Sequence, residues 1–121
     1  MREYTTGATR GDDDTKPHYE GYLSPVVLWR FGQYMKQHQR QEDGELRKAD
    51  NWQQGMPIDD YMDSLLRHQM HVWLRHRGHG NVVPMDEAEL EKSDNQLLLD
   101  DLCAMLFNTM GYMHELLVRG D

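Results

Sequence analysis

The sequence is poor in everything that would tie it to covalent cross-links, membranes or a familiar nucleophile. It holds a single cysteine, Cys103, among 121 residues, so no internal disulfide can form. Cys103 lies in an apolar helical run, where a buried structural thiol is expected rather than a reactive one. That usage fits a reducing cytoplasm. No apolar stretch approaches the ~20 residues needed to cross a bilayer. The polar stretch Met1 to Lys16 lacks the apolar core of a signal peptide. No membrane association is therefore expected.

Basic residues are also scarce. Lys and Arg total 13 against 21 Asp and Glu, for a net charge of −8 with histidine neutral. The cations are scattered, without the basic face of a nucleic-acid binder, so polymeric nucleic acid is not an expected partner. An acidic chain can still handle a polyphosphate when a divalent cation separates the two sets of charge. Gly7-Ala8-Thr9-Arg10 and His79-Gly80 offer no P-loop spacing, and no serine or cysteine nucleophile motif occurs. His71 and His76 are five residues apart, on different helical faces, and with His79 form no zincin-type helix.

What the chain does have is helical periodicity. Its length suits one domain with one core. Met1 to Glu20, rich in Thr, Gly and Asp, reads as a flexible arm (1–20) preceding a single helical domain (21–121). Ser24-Pro25 opens a first helix expected over Pro25 to Gln39. Gln41 to Pro57 reads as a loop with room for one helical turn. Asp59 or Asp60 is expected to cap a second helix running to about Arg77, ended by Gly78-His79-Gly80. After a loop with a short acidic turn (Asp86 to Lys92), Ser93 or Asp94 starts a third helix reaching Leu117. The nine methionines mostly sit at core spacing and suggest plastic packing. The expected fold is all-α: a small bundle of three main helices plus a short turn. Its broad apolar faces suggest completion by homo-oligomerisation.

Two helices carry polar residues inside apolar runs. In the third, Asp101 and Asn108 stand seven residues apart on one face; an unpaired buried polar group costs about 1–3 kcal/mol. A dipole-favoured early acid and a packing hydrogen bond are the plain alternatives. In the second, Asp60, Asp63 and Arg67 form one stripe beside His68. A solvated face with an Asp63–Arg67 pair explains it plainly. The functional alternative has the two helices converging carboxylates on a hard cation, with Arg67 on a phosphate oxygen and His68 as a ligand or proton carrier.

Four segments together resemble a known family: Thr6-Gly7-Ala8-Thr9-Arg10 with Lys16-Pro17; Asn51-Trp52-Gln53-Gln54-Gly55-Met56-Pro57; Asp63-Ser64-Leu65-Leu66-Arg67-His68; and Asp94 with Asp100-Asp101-Leu102-Cys103-Ala104-Met105-Leu106-Phe107-Asn108. In this order they resemble the phage and bacterial family named for the N-terminal domain of dATP/dGTP diphosphohydrolases. The resemblance implies a fold related to MazG-type all-α nucleotide pyrophosphohydrolases. It implies an enzyme that converts a purine deoxynucleoside triphosphate to monophosphate and pyrophosphate with Mg²⁺, Mn²⁺ or Co²⁺, in a host cytoplasm if phage-encoded. Asp63 and His68 match the family's helix-two motif, and Asp94 and Asn108 match its helix three. Read as a metal-dependent hydrolase, the chain would use Asp63, His68 and Asp101 in catalysis and hold metal on Asp63 and Asp101 with Asp60 or Asp100. Arg10, Lys16, Asn51, Trp52, Arg67 and Asn108 would bind substrate, with Trp52 stacking on the base. The chain departs from the family where many members have His-Leu-Ala-His in place of Asp101-Leu102-Cys103-Ala104, which exchanges one ligand type and loses one polar group. Two other readings compete: a catalytically silent nucleotide-binding or sequestering protein, and a helical protein-interaction module.

Overall fold

A computed structural model describes residues 2–11 and 14–120. Its elements are β1 (Arg2–Glu3), β2 (Thr9–Arg10), α1 (Tyr19–Tyr22), α2 (Pro25–His38), α3 (Ile58–His76) and α4 (Asp94–Val118). The chain is thus mostly helical, as its periodicity predicts. Among the described residues no helix is long and apolar enough to cross a membrane.

The three long helices start and stop for local reasons. In α2, Ser24 accepts from the Val27 amide and Pro25 fills the first helical position. In α4, Ser93 and Gln96 form a reciprocal capping box. The start of α3 differs from expectation. Pro57 is its cap residue and offers no side-chain hydrogen bond, while Asp59 and Asp60 occupy the first turn, where the helix dipole favours them. At their far ends, α2 stops at His38, α3 at His76, and α4 runs one residue past Leu117.

The segment expected to lack regular structure carries some. β1 and β2 pair antiparallel through Arg2–Arg10 and Glu3–Thr9, and α1 adds one helical turn. This hairpin is too short for its alternation to show in the sequence. The expected turns in the two longer loops are 3₁₀ helices at Asn51–Gln54 and Glu89–Glu91, with another at Gly80–Val82.

The antiparallel α3/α4 pair is the frame of the molecule. Tyr61 of α3, only 1% exposed, lies against α4 at Gly111, where an added Cβ would overlap the ring. Glycine is required there by proximity, not by backbone angle. α2 lies across α4, packing Tyr34, Phe31 and Met35 around Cys103 and Ala104. The Cys103 thiol is buried, and burial raises its pKa above the ordinary value. Asp100 bolts the layers together, accepting from Arg30 of α2 at 2.6 Å and from Lys92 at 2.8 Å.

Candidate functional site: a basic, aromatic-walled cavity

The end of α2, the following loop and the α3/α4 pair line a half-open cavity of about 430 Å³. The loop reaches it by a tight reversal. Arg40 bridges to Leu46 across a turn in which Gly44 takes φ 86°. The Gln39 side chain donates to the Arg47 carbonyl at 2.6 Å, and the Arg47 amide donates back to the Gln39 carbonyl at 2.8 Å. These bonds tie the segment of Arg47 and Lys48 to the end of α2, the helix that carries Lys36. All three cations line the cavity, and among the described residues no aspartate or glutamate does. In a chain of net charge −8 this is a local reversal of sign, and it favours anions.

One wall is aromatic. Trp52, on the 3₁₀ turn, packs edge-on against Phe107 (centroids 5.7 Å apart) and His114 (5.0 Å), which fixes its indole at the cavity. Tyr34 also lines the cavity, its ring centroid 4.2 Å from that of His38. Burial, helped by the neighbouring Asp100, pushes the Tyr34 phenol up to about 12, so it remains a neutral donor.

The floor comes from Asn108 of α4 and from Ser64 and His68 of α3. Asn108, 5% exposed, donates through Nδ2 to the Ala104 carbonyl at 2.8 Å and to Ser64 Oγ at 3.1 Å, which leaves its carbonyl oxygen to accept. It is thus both a packing bond between α3 and α4 and part of the cavity wall. His68, one turn beyond Ser64, also lines the cavity. Its Nδ1 lies 2.8 Å from Asp101 Oδ1; His71 Nδ1 reaches the same oxygen at 3.1 Å, and Arg75 Nε lies 3.4 Å from Oδ2. Burial acts to raise the Asp101 pKa, but the hydrogen bonds from His68 and His71 and their charge outweigh it. The carboxyl titrates below its ordinary range.

The structure brings together Asn51, Trp52, His68 and Asn108 in the cavity lining, with Asp101 directly behind His68. It does not assemble the four expected metal carboxylates. Asp60 and Asp63 are exposed, and Asp63 pairs with Arg67 at 3.8 Å in the solvated i,i+4 geometry. Asp100 is held by Arg30 and Lys92, whose hydrogen bonds keep its pKa low despite burial. The group that could hold a metal ion among the described residues is instead His68, His71 and Asp101. Arg67 is exposed on the stripe; Arg10 and Lys16 lie in the N-terminal segment; none of the three lines the cavity.

Sequence reasoning overlooked Lys36, Arg47 and Lys48, set His71 aside with the other histidines, and overlooked Arg75. The last two carried a signal: His68, His71 and Arg75 follow at i, i+3 and i+7, one stripe able to face a single carboxylate on a neighbouring helix. The basic triplet carried none, because the turn at Gly44 creates it. No family model, curated protein or solved structure matches the chain.

Proposed function

We propose that the cavity binds a nucleotide, with phosphates on Lys36, Arg47 and Lys48 and the base against Trp52. One observation carries this reading: a cavity of nucleotide size joins three cations, an aromatic wall and a polar floor, with no carboxylate among the described residues of its lining. Asn51 and the free Asn108 carbonyl supply the polar groups that would read a base edge or a sugar hydroxyl. The resemblance to dATP/dGTP diphosphohydrolases favours a purine deoxynucleotide as ligand, handled in a cytoplasm by an oligomeric protein.

Calorimetric titration of dGTP, dATP and the pyrimidine nucleotides tests it. Binding should weaken by about ten- to a hundredfold in Arg47→Ala or Lys48→Ala, the cost of one charge-assisted hydrogen bond. Trp52→Ala should lose affinity for nucleotides but not for inorganic triphosphate. A panel that gives no binding at all would sink the proposal.

Hydrolysis to monophosphate and pyrophosphate is the second reading, and His68 favours it. Its Nδ1 is oriented by a carboxylate while the ring lines the cavity, so Nε2 is left to accept a proton from water. The carboxylates present do not fit a Mg²⁺ or Mn²⁺ centre of the expected kind, since they are dispersed or held by cations. Chromatography of products decides: His68→Gln should abolish turnover while nucleotide binding persists.

A further inference from the structure

Behind the cavity wall, we infer that His68, His71 and Asp101 form a binding site for one divalent transition ion of the Zn²⁺ or Co²⁺ class. The inference does not rest on the nucleotide reading. Two imidazoles and one carboxylate are a donor set that suits Zn²⁺ and its neighbours, whereas Mg²⁺ prefers oxygen ligands. The ligating atoms of all three lie within 4.8 Å of one another.

The spacing fits a coordination shell. With metal–ligand bonds of about 2.0–2.1 Å, a tetrahedral edge is ~3.3 Å. Two edges of this triangle, from Asp101 Oδ1 to His68 Nδ1 and to His71 Nδ1, measure 2.8 and 3.1 Å. Expansion by a few tenths of an ångström admits the ion, each ring shifting its proton from Nδ1 to Nε2. The frame is stiff: both histidines stand one turn apart on α3, and Asp101 faces them from α4. Arg75 holds the other oxygen of Asp101 and confines it to one metal bond, an outer support of the kind metal ligands commonly have. The histidine side chains keep about a quarter of their surface exposed (25% and 26%), which gives an ion access. His68 also opens the site towards the cavity, where a fourth position could face a ligand.

A metal on His68 Nδ1 leaves Nε2 protonated and unable to act as a base, so the two roles of His68 exclude each other. Titration of the untagged, metal-stripped chain with Co²⁺, without nucleotide, tests the site. The expected result is one Co²⁺ per chain, with the visible bands of a low-coordinate ion. Zn²⁺ should displace it and excess Mg²⁺ should not. His71→Gln should weaken binding at least about a hundredfold, the upper end of what losing a mere supporting residue costs. Zn²⁺ should raise the melting temperature of the parent chain and not of His71→Gln, which separates lost binding from lost folding. No stoichiometric Co²⁺ uptake, or uptake unchanged in both His71→Gln and Asp101→Asn, would overturn the inference; His18, His38, His76, His79 and His114 would then account for any ion bound.

Discussion

Tyr61 presents the sharpest contrast between fit and cost. Its ring fills the space that Gly111 leaves open, yet its hydroxyl is buried without a hydrogen-bond partner. Tyr61→Phe should therefore be neutral or stabilising in chemical denaturation, because the unpaired group costs about 1–3 kcal/mol. Gly111→Ala should destabilise by about 1–3 kcal/mol through overpacking, even though alanine is the better helix former. Asp101 predicts a pH effect. Its folded pKa is depressed, so its stabilisation is present above the ordinary carboxylate value of about 4 and is lost as pH falls towards the folded value. The slope of stability against pH in that acid window should flatten in Asp101→Asn, measured by thermal melts at stepped pH. At this scale the sequence was half legible. Asn108 and Asp101 stood out because polar groups inside an apolar run demand partners. The partners of Asp101 did not, since His71 and Arg75 sit in a helix whose other face is also polar.

The helices themselves were legible almost to the residue. Ser24-Pro25 and Ser93 with Gln96 state their caps locally, and tertiary context has little to add. Ser93→Ala should cost about 1 kcal/mol and fray the start of α4, visible as faster amide exchange there. The start of α3 misled because Asp59 and Asp60 are good caps by type; Pro57 holds the position, and they settle into the first turn instead. The loop before α3 was the least legible element. Its basic rim depends on the Arg40–Leu46 bridge and on bonds from Gln39, which join residues of no distinctive pattern. Asp60, Asp63 and Arg67 show the reverse error. Their stripe is regular on paper, but regular charge spacing is equally what a solvated helix face needs.

Seen whole, the molecule leaves many large apolar side chains exposed. On α3, Met62, Leu66, Met70 and Trp73 form an exposed stripe on the side away from the cavity, and on α4 Leu102 and Leu106 are likewise exposed. Monomeric proteins rarely leave contiguous apolar patches beyond a few hundred Å² uncovered. Self-association through this face is the expected outcome. Sedimentation should show a concentration-dependent dimer or larger species, and Trp73→Glu should return it to monomer without loss of helicity. A parent chain that sediments as a monomer across the micromolar range would contradict this.

The antiparallel pairing of α3 and α4 also sets an order of events. Contacts nest outwards from the Arg77–Ser93 connection: His71 meets Asp101, then Ser64 meets Asn108, Tyr61 meets Gly111 and Met56 meets Glu115. The loop closed by each is longer than the last, so the inner contacts close at the smallest entropic cost. The pair should zip from the histidine end towards the tyrosine end. Substitutions at His71 should then slow folding, and Gly111→Ala should mainly speed unfolding. The same helix ends that gather the ligating side chains would be the nucleus from which the protein assembles.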